Sequence, residues 1–159
     1  MTLDKPDMSN FRVIVLLAVD DTEYSEYAFN WYRDFVHRPE NFLVLLHCTE
    51  HDNQELRDAS PGRTKTMIVE LTERMRFIED KFGQLMQRSG ISGRIQRGGG
   101  KPGEAIIKAA VEEGASMIVT GTRGLGKIKR TFLGSVSDYV AHHSPVPVII
   151  CRKTCKSSE

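Results

Sequence analysis

Few features here would mark a secreted, membrane or nucleic-acid-binding protein. Cysteine is scarce, with three residues (Cys48, Cys151 and Cys155) among 159. An odd count spread along a chain this long is not a disulfide framework. Cys48 and Cys151 each end an apolar run, which suits reduced thiols in a core. The Cys151-x3-Cys155 spacing is not a usual metal-ligand pair, and no second pair accompanies it. Net charge is only +1, so the overall balance favours neither a nucleic acid nor a membrane surface as partner. No apolar stretch is long enough to cross a bilayer. The opening residues Met1 to Asn10 contain no apolar signal core. No His/Asp/Glu cluster has metal-site spacing. Together these absences lead us to expect a cytoplasmic protein with no resident metal.

What is present is the composition of a globular domain, 40% hydrophobic and 27% charged. A chain of this length buries about 70% of its unfolded surface and needs no staple. Five apolar runs alternate with amphipathic segments. Phe11 to Val19, FRVIVLLAV, is a nearly continuous run, as in a strand covered on both faces. Asp20-Asp21-Thr22 stops it, and Asp21 or Thr22 is placed to cap the next helix. That helix is predicted from Glu23 to His37, with Tyr24, Ala28, Trp31 and Phe35 facing the sheet. Asn41 to Thr49 is the second strand. Arg63 to Ser89 is the longest helix; Ile68, Leu71, Met75, Ile78, Phe82 and Leu85 form its core stripe and Gly90 its stop. Ile91 to Gly99 is a weak outer strand. Pro102 opens a helix that runs to Gly114. Val146 to Arg152 is the last strand.

Alternating strands and helices predict an α/β fold with one parallel sheet between helices. We expect a single doubly wound domain over residues 11–152, with polar tails at 1–10 and 153–159. His47, on a strand among apolar neighbours, is expected to be a hydrogen-bonded core histidine.

The stretch that organises the chain is Ala115 to Val140, ASMIVTGTRGLGKIKRTFLGSVSDYV. A short apolar strand from Met117 reaches Gly121. A glycine-rich basic loop follows, with Arg123, Lys127, Lys129 and Arg130. A helix then begins at Gly134-Ser135. The first N–H groups of a helix have no intrahelical partners, and the dipole adds positive potential there. Glycines let backbone N–H groups approach an anion closely. The natural guest of such a loop is a polyphosphate. The spacing is nearly that of a Walker A loop, Gly121-x4-Gly126-Lys127, but Ile128 stands where a magnesium-binding Ser or Thr is needed. The next clear helix start is also too late, at Ser135.

The full spacing, Gly121-x2-Gly124-x9-Gly134-Ser135, resembles the nucleotide-binding signature of the universal stress protein family, G-x2-G-x9-G-[ST]. Three further pieces, in order, are similar to the family: Leu17 to Thr22, Leu45 to Cys48, and Pro145 to Ile150. The resemblance covers about Phe11 to Arg152. It implies a five-stranded, Rossmann-like sheet of order 3-2-1-4-5 with four helices. It also implies a crevice between strands one and four, where the winding reverses. By the same resemblance, Asp20 contacts the nucleotide, beside backbone groups of Ala18 and Val19. The backbone at Cys48 meets adenine. Gly121, Thr122, Arg123 and Gly124 wrap ribose and phosphates. Gly134, Ser135 and Val136 offer N–H groups, with hydroxyls from Ser135 and Ser137.

The ligand so implied is an adenine nucleotide: ATP, or AMP or ADP. Magnesium or manganese would come carried by the phosphates. The last strand, Val146 to Cys151, has strong β-propensity and an exposed edge, which invites pairing with a copy of itself; in the family such strands pair into a homodimer. No nucleophile–base pair can be assembled, so the leading function is a nucleotide-dependent sensor or regulator in stress response with little or no hydrolysis. The alternatives are a weak magnesium-dependent ATPase and a dimeric scaffold with an empty crevice. The Asp20-Asp21 pair is also similar to a phosphorylatable receiver domain, but no aspartate ends the third strand.

Overall fold

The computed structural model describes residues 9–49, 57–123 and 134–153. Five strands form one sheet in the order β3-β2-β1-β4-β5, as the resemblance implied. They are β1 (Val13–Val19), β2 (Asn41–Thr49), β3 (Gly93–Gly99), β4 (Met117–Arg123) and β5 (Val148–Lys153). Every pairing is parallel. The helices are α1 (Glu23–Phe35), α2 (Pro61–Ser89), α3 (Pro102–Glu113) and α4 (Ser135–His143).

The continuous apolar runs have the expected cause, since both sheet faces are covered. On one face Val15, Leu17, Val19, Leu43, Leu45 and Val119 pack under α1 and α2. On the other, Leu16, Val44, Leu46 and Ile118 pack under Ile106, Ala109 and Ala110 of α3 and Val140 of α4. Helix stops follow the glycines: Gly90 and Gly114 both cap in the left-handed region, at φ 64°.

Two helix faces differ from the sequence reading. α1 fully buries Ser25, Ala28, Phe29 and Tyr32; of the other expected residues Tyr24 is half-buried, and Trp31 is half-buried against the core. Phe35 is 72% exposed, and the helix ends there, two residues before His37. In α2 the apolar stripe is core only toward the C-terminus, where Ile78, Phe82 and Met86 are buried; Ile68 is exposed. β1 begins at Val13 and β5 at Val148, each two residues later than expected.

The pairing of β1 decides where an opening forms. β1 runs beside β2 for seven residue pairs, Val13↔Asn41 through Val19↔His47. Beside β4 it pairs for only three, ending at Leu17↔Val119. β1 and β4 then continue without pairing each other, so the sheet splits at their carboxyl ends.

Gly93 fixes another close contact. A Cβ there would lie 2.2 Å from the backbone oxygen of Leu43. Gly93→Ala is therefore expected to lower unfolding free energy by about 1–3 kcal/mol, as overpacking does. Gly83→Ala, inside α2 with open space around it, is expected to raise it by about 0.5–1 kcal/mol. Urea denaturation at constant m-value reads both signs.

Candidate functional site

The split between β1 and β4 is occupied by a cavity of about 310 Å³. Its floor is the ends of the two parted strands, Ala18, Val19 and Asp20 on one side and Thr120 and Gly121 on the other. Leu46 and Cys48 of β2 extend one wall. Helix N-termini supply the rest: Ser25 from α1, Pro102 and Ile106 from α3, and Val136 from α4. A groove of about 430 Å³ between α1 and α2, lined by Glu26, Phe77 and Lys81 among others, lies away from the strand ends.

Asp20 is held by its own neighbours. Its Oδ1 accepts from the Thr22 backbone N–H at 2.9 Å and from the Ser25 hydroxyl at 2.8 Å. The Thr22 hydroxyl donates to the same oxygen, and the Asp20 N–H donates to Ser25 Oγ at 2.9 Å. Thr22 sits at the N-cap, but its side chain makes no capping bond. The carboxylate of Asp20 instead ties the N-cap residue Thr22 to the first-turn hydroxyl of Ser25, without capping a first-turn N–H of α1. With Oδ1 so engaged, the carboxyl group has a fixed orientation at the cavity edge. Among the described residues, no hydrogen bond engages Oδ2.

The two described motif glycines have separate physical reasons. A Cβ on Gly121 would lie 2.3 Å from the backbone oxygen of Tyr24, so this glycine lets α1 sit directly on β4. Gly134 has φ 79° and ψ 149°, a region essentially reserved for glycine. It is the N-cap of α4 and provides no side-chain cap. Among the described residues, no side chain caps the first-turn N–H groups of α4, which also have no intrahelical acceptors. α1 and α3 also start without a side-chain cap. Only α2, whose start does not line the cavity, has one, from Ser60.

Six of the twelve residues anticipated from sequence therefore line one cavity: Ala18, Val19, Asp20, Cys48, Gly121 and Val136. Thr122 is buried, with its Oγ1 3.3 Å from the Cβ position of Gly134. Ser137 is buried and Ser135 exposed at the start of α4. Arg123 pairs with Lys153 along β4 and β5, and its side chain lies outside the described residues. So do Gly124, Lys127, Lys129 and Arg130. Ser25, Leu46, Pro102, Ile106 and Thr120 were not anticipated. Pro102 carried the available signal, because a proline opening a helix after a strand-end glycine run puts that helix start at the sheet's carboxyl edge.

The thiols and histidines are quiet. Burial pushes the Cys151 thiol up to about 11, so it stays protonated. Cys48 is half-buried, its Sγ 4.0 Å from the Pro102 carbonyl. His47 is buried as expected, but its Nδ1 has no hydrogen-bond partner among the described residues. Among them, too, no group of three or more His, Cys, Asp or Glu could hold a metal, and no helix is long and apolar enough to cross a membrane.

The universal stress protein family model matches residues 13–152. The chain belongs to the universal stress protein family. A universal stress protein of Thermus aquaticus is 51% identical over 53 residues, 33% of this chain and 39% of that protein. Universal stress protein Sll1388 of Synechocystis is 27% identical over 146 residues, 86% of this chain and 95% of that one. A crystal structure of an Arabidopsis thaliana universal stress protein with AMP bound superposes with a TM-score of 0.70. That likeness covers 91% of this chain and 94% of the other at 19% identity, and it shows the shared fold.

His47 gives this universal stress protein a pH signature. Burial holds its imidazole below the ordinary value of 6.5, against the pull of Asp20, Glu79 and Asp21. The unfolded chain therefore binds this proton first. Stability is full above about pH 6.5 and falls as pH drops from there toward the folded value. The limit is about 1.4 kcal/mol per pH unit for one proton. Urea midpoints measured between pH 7.5 and 5 should fall more steeply in the wild type than in His47→Gln.

Proposed function

We propose that this universal stress protein binds an adenine nucleotide, ATP in the first place, and acts as a nucleotide-dependent sensor or regulator in stress response. One observation carries the reading: the uncapped first turn of α4 and the anchored carboxylate of Asp20 border a single cavity. In this reading the base lies against Leu46, Ile106 and the backbone at Cys48. The ribose hydroxyls meet Asp20 Oδ2. The phosphates run toward the N–H groups of Ser135 and Val136, where the helix dipole favours negative charge. The hydroxyls of Ser135 and Ser137 add donors, and Thr122, Arg123 and Gly124 enclose the sugar–phosphate side. AMP bound to the Arabidopsis relative supports the ligand class. A divalent ion would accompany the triphosphate, held by phosphate oxygens and water.

Hydrolysis has weak support. Asp20 is committed to Thr22 and Ser25 through one oxygen and in this reading to the sugar through the other. Among the described residues, no second carboxylate or histidine lines the cavity as a general base. The edges of the sheet support a homodimer through β5. β3 guards its edge with Arg94 and Arg97, each paired to a glutamate, a common way of blunting an edge. β5 presents the half-buried Val148, Ile149 and Ile150.

Isothermal titration with ATP and AMP tests the ligand. Asp20→Ala and Gly134→Val are each expected to weaken binding at least tenfold with an unchanged far-UV circular dichroism spectrum. Wild-type affinity in both variants rejects this placement. With magnesium and saturating ATP, turnover is expected below about one per second; a faster steady-state rate would replace the binding module with an enzyme.

A further inference from the structure

We propose that the outer flank of α1, centred on Trp31 and Phe35, is a second contact surface for another copy of this chain. The inference rests on the β5-to-β5 dimer proposed above and adds a residue-level interface to it.

Glu23, Tyr27, Trp31 and Phe35 form one i,i+4 row along α1. Contacts fix the side to which this row belongs. Glu23, at its start, accepts from the Lys153 ammonium at the end of β5, 2.9 Å away. Glu26, about 140° round the helix from Trp31 and about 180° from Phe35, pairs with Lys81 of α2 at 2.9 Å. The row therefore lies on the β5 side, away from α2. Tyr27, Trp31 and Ile149 of β5 are all partly buried against the same core cluster. Phe35 is 72% exposed, its ring 5.2 Å from that of Trp31. The exposed Phe35 ring and the half-buried Trp31 against it, beside an edge of β5 with no partner strand among the described residues, form an apolar surface that the protomer leaves unfinished.

The geometry of a paired edge names the occupant. Antiparallel pairing of two β5 strands about a two-fold axis normal to the sheet keeps α1 of both copies on one face. α1 packs on β4 and β5, so the two helix axes would stand roughly two to three strand spacings apart, about 10–14 Å. That is at or beyond the upper end of the 8–10 Å at which packed helices usually stand. Large side chains are needed to close the gap, and Trp31 and Phe35 are the two the row provides. Area points the same way. A stable interface takes about 800 Å² per partner, and a six-residue strand edge is short of it. An aromatic side chain contributes on the order of 150–250 Å² when buried.

Sedimentation velocity on the full chain over a dilution series tests the proposal, read beside Trp31 emission, since Trp31 is the single tryptophan. The wild type is expected to dimerise, with emission moving to longer wavelength as it dissociates. Phe35→Ser and Phe35→Glu should raise the dimer dissociation constant at least tenfold while leaving the protomer's urea midpoint unchanged. A wild-type dimer with neither variant weakened, and with emission constant on dilution, overturns the α1 surface and leaves strand pairing standing. A wild-type monomer at 100 µM overturns both.

Discussion

The site depends on where two parallel strands stop pairing. β1 and β4 share three residue pairs and then part beyond Leu17 and Val119. β1 cannot simply separate there, because β2 holds it through Val19↔His47. β4 is held in the same way by β5 as far as Arg123↔Lys153. Each strand is therefore rigid on its outer side and free on its inner side. A reversal of winding makes this possible, since no helix crosses directly from β1 to β4 to fill the space. The cavity that results is a consequence of topology before any ligand is considered, and its walls are backbone as much as side chain.

Within that frame the glycine signature divides into different kinds of necessity. Gly121 is required by packing: a methyl group would meet the Tyr24 carbonyl and push α1 off the sheet. Gly134 is required by conformation, in a region that other residues avoid. A signature recognised by spacing alone thus contains one residue that positions α1 and one that starts α4. α1 in turn carries Ser25, which fixes Asp20. The two glycines act on the same cavity from opposite sides, and neither need touch a ligand to matter to it.

The fold was largely legible because its signals are local. Doubly covered strands read as unbroken apolar runs, and the left-handed glycines at 90 and 114 ended their helices where expected. The helix faces were less legible. α1 carries two overlapping apolar rows, and the larger residues suggested the wrong one. The buried row uses the small Ser25 and Ala28 to approach β4, and Tyr32, whose hydroxyl is satisfied by His37 at 2.8 Å. α2 was misread for a different reason. At 29 residues it is about 44 Å long, whereas a seven-residue strand spans about 23 Å. Its apolar stripe continues past the sheet it packs on, and sequence periodicity does not reveal where the sheet ends. Of the cavity lining, the strand ends and the α4 start were legible from the glycine spacing and the apolar runs. The α3 wall at Pro102 and Ile106 needed the three-dimensional order of strands.

The helix starts also bear on how specific the cavity is. A side-chain cap is the ordinary way to satisfy a helix start, as Ser60 does for α2. The three helices whose first turns line the cavity all lack one. They are not equivalent, however. α1 carries Glu23 and Glu26 in its first turn and has Asp20 just ahead of it, so its positive end is already compensated. α3 begins with a proline, which removes one donor and leaves the N–H groups of Gly103 and Glu104. Among the helix starts of the described residues, that of α4 combines a first turn without a side-chain cap and a glycine N-cap that lets a ligand come close. The same end of the sheet therefore has an acceptor side at Asp20 and a donor side at α4, with Leu46 and Ile106 as an apolar wall of the same cavity. A flat apolar body with hydroxyls at one edge and an anionic tail is complementary to that arrangement. A simple anion such as free phosphate would use only the α4 side.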